Sequence, residues 1–334
     1  MTYQTLALQD IYRTRSRISP IIRRTPLIDS PDLSRLSDSQ VQLKMENLQV
    51  TGSFKIRGAA NKVLTLDQAE RQRGVITVSS GNHGRAVSYL ARQLGVKAIV
   101  CLPETVPQNK VESIRELGAD VIVRGGTYDQ ATAYAEELCL ERKLTMVPPF
   151  DDPFVIAGQG TIGLELIEDY ADIDTVIVPL SGGGLLSGIA FTLKCIEPSI
   201  HTVGVTMDRG AAMVESLKAG HVVEIEEEPT LADALAGGLG GENKHTFEMI
   251  REYVDETVLV SEQEIAAAMT FALEKLHVAV EGGGAVGIAA LLHNKLQHLG
   301  NNIAVVVSGG NVDLSALVQV ASRSYQYQPS GGCI

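Results

Sequence analysis

Short apolar segments alternate with amphipathic segments along most of this 334-residue chain, and this alternation limits the possible folds more than any other feature. From position 75 to 149, segments rich in β-branched residues alternate with segments whose apolar residues recur every three or four positions. Glycine or proline marks the joins. The pattern predicts a parallel α/β sheet, with strands at VITVSS, KAIVCL, ADVIVRG and LTMVPP and helices at GRAVSYLARQLG, NKVESIRELG and YDQATAYAEELCLER.

A second series of the same kind follows the turn-rich segment PPFDDPF at positions 148–154. Its strands are predicted at TVIVPL, TVGVTM, TVLVS and IAVVVS, with helices between them. A further strand pattern, VQLKME, precedes the first series and must join one of the two sheets. We therefore expect two α/β domains that need not be contiguous in sequence. The tail QPSGGCI is expected to be disordered.

The composition indicates a small molecule as the partner. The chain has 40 acidic and 28 basic residues, and its formal charge of −12 opposes binding to nucleic acid or to an anionic membrane. Its four cysteines lie far apart, which favours neither a zinc site nor a disulfide framework and fits a reducing cytoplasm. Charged residues precede any long apolar run, so export is not expected.

The uncharged stretch at residues 176–193 approaches the length of a membrane span. Pro179, Ser181 and three consecutive glycines interrupt it in the middle. Buried parallel strands are also uniformly apolar. We therefore interpret the stretch as a buried strand, a turn and the start of a helix.

Three small, polar turns follow predicted strands: SSGNHG after VITV, SGGG after TVIVPL, and SGGN after IAVVVS. In open parallel sheets, ligands bind outside the carboxyl ends of the strands. The three turns are therefore expected to converge on one ligand.

The turn from Ser181 to Gly184 stands between a strand and a helix that is predicted to begin near Leu185. Its backbone N–H groups and the helix dipole favour a phosphate. A dinucleotide fold is the rival interpretation, because Asp208 follows the next strand at the distance of a ribose-binding acid. The glycine spacing fails that pattern, since Ser187 stands where glycine is required. A purely structural tight turn remains an alternative.

Lys55 lies in TGSFKIRG, between Phe54 and Ile56, and we expect it to be partly buried in a small-residue turn. Desolvation and the nearby Arg57 are expected to lower its pKa and provide the free amine that Schiff-base chemistry needs. An exposed turn lysine is the alternative. The loop residues Asn82 and His83 also have structural alternatives to a functional role. Asn82 could adopt a left-handed backbone conformation, and His83 could cap the following helix.

Six motifs taken together resemble the threonine dehydratase and serine racemase branch of the fold-type II pyridoxal-phosphate enzymes: TGSFKIRGA, SSGNHG, FDDPFVIAGQGTIGLE, VPLSGGGLLSGIA, VEGGGAVG and VSGGNVDL. The resemblance extends from about Arg24 to Leu314. It implies two parallel-sheet, three-layer α/β domains of the tryptophan synthase β-like kind. Residues 1–70 and 150–320 would form a large cofactor-binding domain, residues 71–149 a small domain, and residues 321–334 a disordered tail. A homodimer is also expected.

The same resemblance implies a role for each matching residue. Lys55 would hold pyridoxal 5'-phosphate as a Schiff base and act as the base at the substrate Cα, with Ser80 as the catalytic residue opposite it. Phe54 would pack beside the ring, Asn82 would hydrogen-bond its phenolic oxygen, and Ser308 would face its nitrogen. The remaining cofactor contacts would be Ser181, Gly182, Gly183, Gly184, Leu185 and Glu281, and the substrate carboxylate would be bound by Ser79, Ser80, Gly81 and His83.

The reaction expected from the resemblance is loss of water from a small β-hydroxy-α-amino acid, giving a 2-oxo acid and ammonia. β-Replacement is disfavoured because its enzymes typically have threonine in place of His83. Racemisation is expected only as a side activity. The acidic metal-site residues of the racemase pattern fall on Thr206 and Ala212, so no metal site is expected. A non-enzymatic amino-acid sensor is disfavoured because Lys55 is retained.

Serine and threonine are the default substrates of this branch. The segments VGVTMDRGAAMVESLKAG and EEEPTLADALAGGLG nevertheless resemble dehydratases associated with hydroxyectoine utilisation, whose substrate would be a hydroxylated diamino acid. Asp129, which stands where the racemase pattern has an arginine, could attract a cationic substrate side chain. It could equally satisfy the N-terminal dipole of its own helix.

Overall fold

A computed structural model describes residues 6–240 and 243–326 of the chain. Its strands are β1 (Leu27–Asp29), β2 (Gln40–Met45), β3 (Val75–Val78), β4 (Ala98–Leu102), β5 (Asp120–Val123), β6 (Thr145–Met146), β7 (Thr175–Pro179), β8 (His201–Met207), β9 (Glu256–Val260) and β10 (Asn302–Val307). Its α-helices are α1 (Leu8–Ile18), α2 (Pro31–Ser37), α3 (Lys55–Leu64), α4 (Gln68–Arg73), α5 (Asn82–Leu94), α6 (Gln108–Glu116), α7 (Tyr128–Arg142), α8 (Pro153–Asp169), α9 (Gly184–Ile196), α10 (Ala212–Ala219), α11 (Thr246–Tyr253), α12 (Glu262–Lys275), α13 (Gly282–Leu292) and α14 (Leu314–Gln326).

The larger sheet has six strands in the order β1-β2-β10-β7-β8-β9. All its pairings are parallel except that of β1 with β2, which is antiparallel. The predicted VQLKME strand is β2, and it pairs with β10 near the other end of the chain. The larger sheet therefore contains strands from non-contiguous parts of the sequence.

The smaller sheet has four strands in the order β5-β4-β3-β6, and all of them are parallel. β6 has only two residues, although the sequence predicted a strand over LTMVPP. Pro148 and Pro149 lack the backbone N–H that a ladder needs, so pairing stops before them.

The apolar character of the predicted strands is explained by their burial. All five residues of β7 and all five of β4 are buried, as expected for parallel strands covered on both faces. The stretch at 176–193 is the strand β7, a turn and the start of α9, as predicted. Within the described ranges, none of the helices combines the length and apolarity needed to cross a bilayer.

The helix α3 links the two sheets. It packs against α8 and α5, and its residues Ile56, Ala59 and Val63 share one apolar cluster with residues of β3 and β4. The exact division of the chain at residues 70 and 150 therefore stays a prediction. The helix α14 continues through residues 321–326 of the predicted tail, and residues 327–334 lie outside the described part.

A buried ion cluster fixes the position of α3. The guanidinium of Arg57 is fully buried, and it donates two hydrogen bonds of 2.8 Å to Glu46 and bonds of 2.7 and 2.8 Å to Glu165. The Lys44 amine lies 2.6 Å from Glu165 and donates to the Thr25 carbonyl. Burial alone would raise the pKa of Glu46, but the charge and hydrogen bonds of Arg57 hold it below its usual value.

We predict that Glu165→Gln destabilises the fold far more than Glu168→Gln, a matched substitution three residues further along α8. The first change leaves Arg57 and Lys44 buried with too little negative charge, which costs about 3–5 kcal/mol. Glu168 pairs with Arg24 at 2.7 Å, but both side chains are more than 40% exposed, so its loss costs less than about 1 kcal/mol. Urea unfolding of the two variants provides the measurement. Equal free energies of unfolding would contradict the role of the cluster.

Candidate active site

The glycine turn after β7 leaves backbone N–H groups free. Gly183 caps α9 with a φ of 88°, a left-handed conformation that favours glycine. The first hydrogen bond into the helix runs from the Ser187 N–H to the Gly183 carbonyl at 2.8 Å. The N–H groups of residues 184–186 therefore have no acceptor within the helix, and the helix dipole favours an anion beside them. The predicted phosphate cradle has the geometry that an anion requires.

Phe150 packs against this turn. A Cβ atom at Gly182 would lie 2.5 Å from the Phe150 ring, and a Cβ atom at Gly184 would lie 2.9 Å from the Phe150 backbone. Both positions need glycine because Phe150 occupies the space of a side chain. Phe150 begins one of the six motifs, but its contact with this turn was not predicted from the sequence.

Lys55 is the first residue of α3 rather than part of an extended turn. It is partly buried, as predicted, and its Nζ donates to the Pro149 carbonyl at 2.8 Å. Burial lowers the pKa of Lys55 to about 8, while the nearby charge of Glu281 opposes that shift. The neutral form of this amine is therefore more populated near neutral pH than that of an ordinary lysine.

The expectation that Arg57 lowers the pKa of Lys55 is wrong. The side chain of Arg57 is committed to the carboxylates of Glu46 and Glu165, and burial is what lowers the pKa of the lysine. Residues two apart on a helix do not face each other, so nearness in sequence was misleading here.

Phe54 and Ser308 join the lysine helix to the end of β10. The Phe54 N–H donates to the Ser308 carbonyl at 3.0 Å, and the Lys55 amine lies 5.2 Å from the centre of the Phe54 ring. The side chain of Ser308 is buried. Ser53 also forms a β-bridge with Gly309. The TGSFK loop and the SGGN loop are therefore held against each other.

Asn82 and Glu281 meet in the same region. Asn82 Nδ2 donates to Glu281 Oε1 at 2.7 Å, although the residues are 199 positions apart. Glu281 is 5% exposed, and its burial raises its pKa to about 7 against the opposing hydrogen bond from Asn82. A Cβ atom at Gly309 would lie 2.2 Å from Glu281 Oε1, so that loop needs glycine. Sequence analysis assigned Glu281 to the cofactor edge but did not predict its contact with Asn82.

The SSGNH loop leads directly into α5. Its first helical hydrogen bond runs from the Arg85 N–H to the Gly81 carbonyl at 3.1 Å, which leaves the N–H groups of residues 82–84 without acceptors in the helix. The Gly81 N–H lies 3.3 Å from Ser79 Oγ. This second helix N-terminus suits a substrate carboxylate for the same physical reason that the first suits a phosphate.

His83 contributes its backbone to this loop but its side chain points into the protein. The ring is 2% exposed, and Nε2 lies 2.8 Å from the Val147 carbonyl. Burial and the charge of Lys55 lower the pKa of His83 to about 3, so the ring is neutral. The neutral, buried ring does not offer a positive charge to a carboxylate, and the predicted contact of His83 with the substrate stays a prediction.

Ser80 has a partner that the sequence did not indicate. Its Oγ lies 2.5 Å from the hydroxyl of Tyr128, the first residue of α7. The neighbouring Asp129 is exposed and forms no ion pair with any residue of the described ranges. The predicted contact of Asp129 with substrate stays a prediction.

The buried polar atoms near Lys55 fit a bound cofactor. Thr51 Oγ1, Ser53 Oγ and His83 Nδ1 are buried and have no hydrogen-bond partner among the described residues. Buried polar groups normally have partners, and unpaired ones are expected where a ligand supplies them. Together with the free N–H groups in the first turn of α9 and the amine of Lys55, these atoms fit a ligand with a phosphate, an aldehyde and a phenolic oxygen.

Comparison with known proteins identifies the family. The model of the family described as "Pyridoxal-phosphate dependent enzyme" matches residues 18–309. The chain belongs to this pyridoxal-phosphate dependent enzyme family. Its cofactor is pyridoxal phosphate, as the motifs predicted.

Relatives of this pyridoxal-phosphate enzyme share most of its length. It is 50% identical over 309 residues to a protein of Sinorhizobium fredii named "Putative threonine dehydratase", covering 92% of this chain and 93% of the relative. It is 43% identical over 318 residues to the L-threonine ammonia-lyase of Thermotoga maritima, covering 95% of this chain and 79% of the relative. The structure of maize serine racemase superposes with a TM-score of 0.89 at 34% identity, covering 97% of this chain and 99% of the racemase. The predicted fold class is confirmed.

We predict that the rate of cofactor capture by the cofactor-free protein follows the titration of Lys55. Only the neutral amine attacks an aldehyde, so the rate should rise by roughly tenfold per pH unit below pH 8 and level off above it. Stopped-flow absorbance from pH 6.5 to 9.5 measures this, with Nα-acetyl-lysine as the control amine. A protein rate that keeps rising in parallel with the control would contradict the lowered pKa.

Proposed function

We propose that this pyridoxal-phosphate enzyme is a lyase that removes water from a small β-hydroxy-α-amino acid, with threonine and serine as the first candidates. The observation that carries the proposal is the amine of Lys55, which is partly buried and has its pKa lowered to about 8. This amine donates to the carbonyl of Pro149, and the next residue, Phe150, packs on the anion-binding turn. The named relatives are the support for the reaction class.

The bound cofactor supplies electron withdrawal, which makes the α-hydrogen of an attached amino acid acidic. The two helix N-termini would serve as separate anion sites: the start of α9 would hold the phosphate of the cofactor, and the start of α5 would orient the substrate carboxylate. The neutral amine of Lys55 would accept the proton from Cα, and the ammonium formed in this way would return a proton to the hydroxyl at Cβ, which would leave as water. The unsaturated product takes up one water, so the net change is amino acid to 2-oxo acid plus ammonia.

Ser308 favours elimination over reactions in which the negative charge at Cα has to persist. A hydroxyl at the ring nitrogen, unlike a carboxylate, does not enforce a positive charge on that nitrogen. Negative charge at Cα is then less stabilised, so loss of the β-hydroxyl has to follow proton removal promptly. The burial of Ser308 supports its assignment to the ring nitrogen, which remains part of this proposal.

A homodimer and a cytoplasmic location belong to the same proposal. The family resemblance supports the first, and the cysteine pattern supports the second. The net charge of −12 supports small molecules as the partners rather than nucleic acid or a membrane surface. We propose that activity needs no divalent metal, because Thr206 and Ala212 cannot supply the carboxylates of the racemase site.

We predict that the purified holoenzyme releases equal amounts of ammonia and 2-oxo acid from threonine or serine. Lys55→Ala should lower kcat on the order of 10³-fold or more because the base at Cα is lost. Lys97→Ala serves as the control and should keep full activity, because Lys97 is an exposed residue directly before β4. Wild-type protein that binds the cofactor yet releases neither product from any β-hydroxy amino acid would contradict the proposal.

A hydroxylated diamino acid is the alternative substrate, and Asp129 provides its test. An exposed carboxylate near a cationic side chain contributes about 1 kcal/mol, or roughly fivefold in kcat/KM. If Asp129 attracts that side chain, Asp129→Asn should lower kcat/KM for 3-hydroxy-2,4-diaminobutyrate by this factor and leave the value for threonine unchanged. An unchanged ratio between the two substrates would remove Asp129 from the site.

A further inference from the structure

Asn311 connects the loops around the proposed cofactor site, although no role was assigned to it from the sequence. It follows β10 in the SGGN turn. Its side-chain Nδ2 donates to the Thr51 carbonyl at 2.9 Å and to Asn82 Oδ1 at 2.6 Å. Its backbone N–H is also hydrogen-bonded to the carboxyl of Glu281. One residue therefore contacts the lysine loop, the asparagine loop and the residue that caps α13.

These contacts fix which end of the Asn82 amide faces which partner. The Thr51 carbonyl can only accept, so Asn311 must present its NH₂ group on that side. The second hydrogen of this group then meets Asn82 Oδ1. With its oxygen engaged, Asn82 directs its own NH₂ group away from Asn311, where one hydrogen is donated to Glu281 Oε1 at 2.7 Å. The other hydrogen of Asn82 has no acceptor in the described part of the chain.

We propose that Asn311 is a positioning residue that sets the orientation of the Asn82 amide, so that Asn82 presents an N–H donor to the phenolic oxygen of the cofactor. This inference rests on the proposed function, in which Asn82 faces that oxygen. The two ends of an amide are nearly equal in size, so packing alone would not distinguish them. A reversed Asn82 would present its oxygen to an anionic oxygen and repel it.

The surrounding glycines make room for this arrangement. A Cβ atom at Gly52 would lie 2.4 Å from Asn311 Oδ1, and Gly52 has a φ of 76°. A Cβ atom at Gly309 would lie 2.2 Å from Glu281 Oε1 and 3.3 Å from Asn82 Nδ2. The Gly310 N–H donates to the Gly52 carbonyl at 2.9 Å, which holds the two loops in register. The glycines of the two loops therefore leave the space that the side chains of Asn311 and Glu281 occupy.

Asn311→Ala and the nearly isosteric Asn311→Asp test the inference, with Asn301→Ala and Asn301→Asp as controls at the opposite end of β10. The readout is the pH titration of the visible absorbance of the bound cofactor, which does not depend on turnover. Loss of the donated hydrogen bond destabilises the anionic phenolic oxygen, so the titration midpoint of Asn311→Ala should rise by about one pH unit. Asn311→Asp should shift it in the same direction, because a carboxylate can accept only from Asn82 Nδ2 and so reverses the amide.

A double variant separates positioning from a general effect on the fold. Asn82→Ala should move the midpoint as far as Asn311→Ala, and combining the two changes should move it no further. A purely structural role for Asn311 would lower the thermal midpoint and leave the spectroscopic midpoint at the wild-type value, which would overturn the inference. A wild-type protein with no cofactor absorbance would instead overturn the proposed function on which it rests.

Discussion

Arg57 determines where the lysine of the site lies. Its guanidinium is fully buried between Glu46 and Glu165 and forms paired hydrogen bonds with both. Desolvation of such charges costs several kcal/mol each, so the ion pairs contribute more to position than to net stability. The helix α3 can pack only where the guanidinium of Arg57 reaches the carboxylates of both Glu46 and Glu165. Lys55 starts that helix two residues earlier, and its amine reaches the Pro149 carbonyl as a result.

The segment that follows β6, residues 147–151, connects Lys55 to the other parts of the candidate site. The Val147 carbonyl lies within hydrogen-bond distance of His83, the Pro149 carbonyl accepts from Lys55, and Phe150 covers the glycine turn. The next residue, Asp151, accepts from three successive N–H groups at residues 244–246. A short segment therefore contacts Lys55, the first turn of α5 and the glycine turn before α9. This explains how the ends of two separate sheets can serve one small ligand.

Local features of the sequence predicted most strands and helices of the molecule. Contacts between residues far apart in the sequence could not be predicted from those features. The strand, turn and helix at residues 176–193 could be predicted because apolar runs and glycines act locally. The antiparallel β1 was missed because its three residues carry no readable period. The hydrogen bond from Asn311 to Asn82 spans 229 positions, and the contact of Tyr128 with Ser80 joins the start of α7 to the loop before α5. Contacts of this kind have no period or spacing in the sequence.

The account depends most directly on the assignment of the cofactor to Lys55. Reduction of the holoenzyme with borohydride makes the bond between cofactor and lysine permanent, and peptide mass mapping then locates it. We predict that the adduct lies on the peptide containing Lys55, and that the same treatment of Lys55→Ala leaves the chain unlabelled. An adduct on a different lysine, or an unlabelled chain in protein that still turns over substrate, would contradict the account.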